Sequence, residues 1–270
     1  MLKELCVRRD LISELVLKEL KVRYSHPQLR FFWAFLLPFL TVAVFYLIFA
    51  KFLKMEIPEG PAFLYLASAL FPWRFFQDAV MAATTSLVDN RNLLKESSIP
   101  PYFIPVSVVI FHWVNFLPSL LIMIAASLAM LRSFSAGLLF LPLILGVHLA
   151  TALGLSLIFS FLYLRWRDAK YAVEFLLLLV FYSTPVFYSL YFARKTLPDI
   201  FFKLYLYNPF TGILNIYRFV FFGNIYRDLK PEFNIVNLIL VPLGFACLCA
   251  GAGLLLYKRH KDRINDYLSY

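Results

Sequence analysis

Residues 87–101 read Leu-Val-Asp-Asn-Arg-Asn-Leu-Leu-Lys-Glu-Ser-Ser-Ile-Pro-Pro, a short polar island between two long apolar runs. Asp89 or Asn90 can cap a helix start, and Pro100 cannot continue a helix. That leaves room for two or three turns. Leu93 and Leu94 would lie on one side, with Asn90, Arg91, Asn92, Lys95 and Glu96 around them. In a membrane protein such an island has two readings. It is a solvated loop whose Arg91 and Lys95 help to set orientation, or it is an amphipathic handle for a soluble partner.

The runs on either side establish the class. The 270 residues are 61% hydrophobic and 16% charged, with mean hydropathy +0.75. A soluble domain is about 45–50% apolar and about 25% charged. No charge interrupts 31–50, 99–131, 133–164, 175–193 or 233–257. Each is as long as a spanning helix, which needs ~20 apolar residues. They are too continuous for barrel strands, which alternate over ~10 residues. The expected fold is an all-α integral membrane domain. Its six spans are 31–50, 62–87, 102–131, 137–164, 171–191 and 235–257, the second interrupted by Arg74 and Asp78.

Residues 1–30 are expected to form a cytoplasmic helix lying in the membrane interface. Leu5, Ile12, Leu15, Val16 and Leu20 make its apolar stripe. Asp10, Glu14, Lys18 and Lys21 make its polar face, with Glu14 and Lys18 a favourable pair one turn apart. These residues are charged and lack the apolar core of a cleavable signal. The net charge of +10 sits beside the spans. There it orients the chain and meets membrane lipid, so nucleic-acid binding is not implied. Lys and Arg are more numerous on the side holding both termini, the island and the second polar loop, 165–170. That side is read as the cytoplasm.

Segment 192–234 falls outside, yet 200–222 is rich in Phe, Tyr, Leu and Ile, and Asn208-Pro209 divides it into pieces too short to span. A re-entrant helical hairpin over 196–225 and an amphipathic loop lying on the surface both fit. Irregular backbone at membrane depth needs protein or a water-filled cavity around it.

Chemistry-bearing patterns are few. The sequence has no GxxxxGK[ST], HExxH or GxSxG, so no phosphate loop, zinc site or serine nucleophile is expected. Cys6, Cys247 and Cys249 form no CxxC, and His26, His112, His148 and His260 are scattered, so no metal site is expected. Arg74 and Asp78 are one helical turn apart at membrane depth. They either line a hydrophilic path or form a satisfied interhelical ion pair. Gly146, Ala150 and Gly154, and separately Ala246, Cys247, Ala250 and Gly251, allow close helix approach. Aromatic residues make up 19% of the chain, which suits a path for sugars stacked by their apolar faces.

Several fragments, in order, carry a resemblance. Leu17-Lys18-Glu19-Leu20-Lys21-Val22-Arg23-Tyr24 precedes the first span. Leu70-Phe71-Pro72-Trp73-Arg74-Phe75-Phe76 lies in the second, and Asn90-Arg91-Asn92-Leu93-Leu94-Lys95 follows it. Arg165-Trp166-Arg167-Asp168 precedes the fifth, and Thr184-Pro185-Val186-Phe187-Tyr188 lies within it. Asn208-Pro209 with Ile216-Tyr217-Arg218 and Gly223 closes the external segment. Together they resemble the permease subunit of a bacterial ABC exporter of the polysaccharide branch, which exports O-antigen, teichoic acid or capsule. Phe71-Pro72 stands where that family often has Gly, and Thr184 where Ser is usual.

The resemblance implies a homodimer in the bacterial inner membrane around a central path for a lipid-linked polysaccharide. It also implies two copies of a separate ATPase that bind the ATP and Mg, so no cofactor is expected in this chain. It places ATPase coupling on 90–96, with Arg165, Arg167 and Asp168 as further contacts. It places the path or its gate at Trp73, Arg74, Asp78, Tyr188, Asn208, Pro209, Tyr217 and Arg218. Two alternatives are an exporter of a lipid or drug, and a membrane glycosyl or acyl transferase. The last would need buried acid, base or metal groups at a membrane face.

Overall fold

The computed structural model describes residues 4, 7–23, 27–54, 57, 60–97, 99–132, 135–188, 190–223 and 235–260. Among these the chain is helical, with no strand. In order the helices are α1 (Arg9–Arg23), α2 (Pro27–Tyr46, extended by a π turn Leu47–Phe52), α3 (Ala62–Asp89), α4 (Arg91–Glu96) and α5 (Phe103–Leu131). After a 3₁₀ turn (Ala136–Phe140) come α6 (Leu141–Arg165), α7 (Ala169–Tyr182), α8 (Leu190–Thr196), α9 (Asp199–Leu206), α10 (Pro209–Phe222) and α11 (Ile235–Arg259). Leu5, the part of the 196–225 segment after Gly223, and the basic tail beyond His260 lie outside the described residues.

Among the described residues, four stretches are long and apolar enough to cross a membrane: Phe35–Phe52, Phe103–Leu131, Gly137–Arg165 and Leu238–Arg259. Helix α3 matches them in length at 28 residues, but Arg74, Gln77 and Asp78 lower its apolarity. It is nonetheless the centre of the bundle. Tyr65, Ala67, Trp73 and Ala79 point in different directions around it, and all are buried. A helix that is apolar on nearly every side is stable only inside others. Helices α2, α5, α6, α7 and α10 surround it.

The stretch read as one span over 171–191 is not one helix. Helix α7 has 14 residues, ~21 Å of rise against a hydrocarbon core of ~30 Å. The backbone then leaves the helix over 183–188 and resumes at Leu190. Pro185 has no N–H to give, and the hydroxyls of Ser183 and Thr184 donate to the carbonyls of Val180 (3.1 Å) and Phe181 (2.9 Å).

The small-residue stripes of α6 and α11 meet at one end only. A Cβ on Gly154 would lie 2.4 Å from the Ala250 nitrogen, whereas one on Gly146 would meet nothing within 4 Å. The helices therefore touch backbone to backbone at Gly154 and diverge toward Gly146, leaving an apolar cavity of about 340 Å³.

Candidate functional site

One end of the bundle gathers the two polar loops. A buried cluster there joins Leu15 of α1, Leu87 of α3, Leu94 of α4, Phe103 of α5, Leu164 of α6 and Tyr257 of α11. Helix α4 is seated on it by Leu94, which is 7% exposed, while Leu93 is half-buried and Asn92, Lys95 and Glu96 are exposed. Asn90 stands at the N-cap of α4, but its side chain does not cap that helix. Its Nδ2 donates instead to the Ser86 carbonyl (3.0 Å), and its Oδ1 accepts from Lys18 Nζ (2.8 Å). Asn90 thus closes the end of α3 and pins α1 to it. The Tyr102 hydroxyl reaches the Glu4 carboxylate beside the same cluster.

At this end too, α6 stops at Arg165 and α7 begins after Asp168. Arg165, Trp166, Arg167 and Asp168 are all exposed. Arg165 lies 5.0 Å over the Trp166 ring and Arg167 5.4 Å over Tyr163. The outward surface made by α4 and this loop is mixed in charge and carries apolar area in Leu93 and Trp166.

Helix α1 leans on α5. Val16 and Leu20 are buried against Phe111 and Ile110, and Ile12 is half-buried beside them. The apolar stripe expected from spacing covers the protein's own surface.

Arg74 and Asp78 form an ion pair within α3, Nε to Oδ2 3.6 Å, and both side chains are about half exposed. Arg74 Nη1 also donates to the Thr41 hydroxyl of α2 at 3.1 Å. The pair lines a cavity of about 330 Å³ between α2, α3 and α5, together with Trp33, Asn115 and Ser119. The ion pair thus joins two residues of one helix, and its link to a second helix is the Arg74–Thr41 hydrogen bond.

The opposite end is built around Arg218. Asn208 caps α10 through its Oδ1, which accepts from the Phe210 N–H at 3.0 Å, and Pro209 follows at the first helical position. Helix α10 is buried along almost its whole length. Arg218 is 0% exposed. Its Nη2 donates to the carbonyls of Pro185 and Val186, the second at 3.1 Å. Those carbonyls belong to the bend that follows α7. Its guanidinium carbon lies 3.7 Å from the centre of the Tyr65 ring. Tyr65 in turn donates its hydroxyl to the Tyr188 carbonyl at 3.0 Å. One cation and one tyrosine of α3 thus fasten the 185–188 bend to α10. The short α9 is left on the outside, with Ile200, Phe201 and Leu204 exposed and Phe202 turned in. Arg194 binds Asp199 at the start of α9, and this hydrogen bond and charge hold the Asp199 carboxyl below its usual range.

No family model matches the sequence. The O-antigen export system permease protein RfbA of Myxococcus xanthus is 30% identical over 248 residues, which cover 91% of this chain and 93% of the relative. The chain belongs to the O-antigen export permease family. Two RfbA permeases of Klebsiella pneumoniae are 28% and 29% identical, each over 88% of this chain and 90% of their own length.

The structure of this permease sorts the residues singled out from sequence by place. Asn90–Glu96 and Arg165, Arg167 and Asp168 share the α4 end. Arg74 and Asp78 share the cavity. Tyr188 and Arg218 share the far end, while Asn208 and Pro209 start α10 near the middle of α3, where Phe210 packs on Trp73 and Phe76. Trp73 and Tyr217 are buried. Trp73 is buried among Phe76, Phe181 and Phe210. The Tyr217 hydroxyl sits 3.2 Å from His148 Nδ1 in the core. Spacing could not reveal Thr41 or Tyr65, because each joins its cation only through contacts between helices.

Proposed function

We propose that this permease is the transmembrane subunit of an ATP-driven ABC exporter, a transporter component rather than an enzyme. It moves a lipid-linked polysaccharide of O-antigen, teichoic acid or capsule type across the bacterial inner membrane. It works as a homodimer with two copies of a separate ATPase that bind ATP and Mg. The observation that carries the reading is similarity to O-antigen export permeases over nine-tenths of the chain.

In this reading α2, α3, α5, α6, α7 with its following bend, and α11 are the six spans, and both termini are cytoplasmic. Helix α1 borders the cytoplasmic face. Helix α4, with Arg165–Asp168 beside it, is the seat of the ATPase. Burial of Leu94 supports this. A helix anchored in the same cluster as the ends of α3, α5, α6 and α11 passes a push to all of them. Helix α3 then acts as a rod of ~42 Å. Its far end holds Tyr65, and through it Arg218 and the 185–188 bend. Helices α8–α10 form the re-entrant hairpin that closes the external side. ATP-driven movement of α4 is felt at that hinge through α3.

The test is co-expression with an ABC ATPase subunit from the same genome. The two should co-purify, and the strain should display the glycan at its surface only when both are present. A permease that purifies alone, in cells that still export, would sink the reading.

A further inference from the structure

Two cavities meet at His112. One, about 380 Å³, lies under α1 and is lined by Lys18, Glu19, Thr85, Ser86, Asp89 and His112. The other, about 330 Å³, lies under α2 and is lined by Arg74, Asp78, Asn115, Ser119 and, again, His112. Helices α3 and α5 floor both. From Asp89 to Arg74 the rise along α3 is ~22 Å, so the pair of cavities reaches from the α4 end to the middle of the helix. Hydrocarbon is a costly neighbour for a half-exposed Arg74–Asp78 pair at that depth, and such pairs face protein or water.

The lining also indicates what fits. Two cations, Lys18 and Arg74, face three carboxylates, Glu19, Asp78 and Asp89, and Asp78 already pairs with Arg74. An anionic headgroup meets more repulsion than attraction. Carboxylates, an amide and the hydroxyls of Thr85, Ser86 and Ser119 instead match the donors and acceptors of a polyol. Trp33, Phe71 and Phe75 in the second cavity supply apolar faces. Pockets of this kind fix orientation by a few polar groups set among apolar walls.

We propose that the two cavities form one water-filled side track within each subunit, with His112 at its neck, and that the track takes a neutral sugar unit. The choice of sugar rests on the export reading above; access of water does not.

The test uses the permease–ATPase complex in inside-out vesicles, with Cys6, Cys247 and Cys249 changed to Ala. Asn115→Cys reports the deep cavity and Thr85→Cys the mouth, each challenged with a membrane-impermeant methanethiosulfonate. Both should label from the α4 side. Adding His112→Trp should slow labelling at 115 by about tenfold, as expected when thiol access is closed, and leave 85 unchanged. Adding His112→Ala should speed labelling at 115, which covers the case that the Trp variant does not fold. Free N-acetylglucosamine should slow labelling at 115, and inorganic phosphate should not. Labelling at 85 without labelling at 115, or indifference of 115 to both His112 variants, overturns the track. Protection by phosphate and not by the sugar overturns the ligand class. Failure of the export reading shows separately, as absence of surface glycan in cells carrying the unaltered pair.

Discussion

Replacing Arg218 with Met tests the far end of the permease most directly. Met fills much of the same volume, so the change removes charge and donors more than packing. The carbonyls of Pro185 and Val186 lose their shared donor in a buried place. Each buried acceptor left without a partner costs ~1–3 kcal/mol. The contact with the Tyr65 face, 3.7 Å from the guanidinium carbon, is worth ~2 kcal/mol when desolvated. Against this, burying a guanidinium costs several kcal/mol, which Met avoids. The sum is a net loss of about 2–4 kcal/mol, confined to the junction of α10 with the bend. Arg218→Lys keeps the charge but reaches one carbonyl at most, and should fall between. The assay is surface glycan in cells, paired with protease nicking at 183–189 in membranes. Both Arg218 variants should still co-purify with the ATPase, because α4 lies at the other end. Arg218→Met should export poorly and be nicked faster. Wild-type export with an unchanged nicking rate would refute the idea that this cation holds the bend.

Three further outcomes follow from the geometry. Leu94→Ala should destabilise the permease itself by ~2–5 kcal/mol, read as lower thermal stability in detergent, whereas Leu93→Ala should spare stability and weaken ATPase pull-down. Gly154→Ala should drive a Cβ into the backbone of α11 at Ala250 and lower stability, while Gly146→Ala, facing open space, should be silent in the same melt. Single cysteines at Asn92 and Trp166 should label from the cytoplasm and one at Thr196 from outside; labelling of all three from one side would discard the six-span map.

Much of the α4 end was legible because its signals are local. Polarity flanked by apolar runs, with Pro-Pro beyond, marks a short helix whatever surrounds it. Asn208-Pro209 marks the start of α10 for the same reason, since an Asn cap and a proline with fixed φ act within one turn. The stripe Ile12, Val16, Leu20 is likewise a matter of spacing. The break after Tyr182 was harder to read. Pro185 sits inside an uninterrupted apolar run, and hydropathy registers the run more strongly than the missing N–H.

By itself the sequence determined the class of the protein, the polar ends that its helices must present to water, and the apolar face of each helix. It did not determine which neighbour covers each face. Leu93 and Leu94 are equivalent in hydropathy, and only the packing of α1, α5, α6 and α11 turns Leu94 inward and leaves Leu93 at the rim. Arg74 and Asp78 are paired by spacing, but whether they are sealed or open depends on how α2 and α5 lie across α3. From the sequence, Arg218 is placed only by resemblance, at the path or its gate. It is a core residue because the bend after α7 offers it two carbonyls and α3 offers it a ring. Those partners lie far apart along the chain, and only the folded bundle brings them within reach of a single guanidinium.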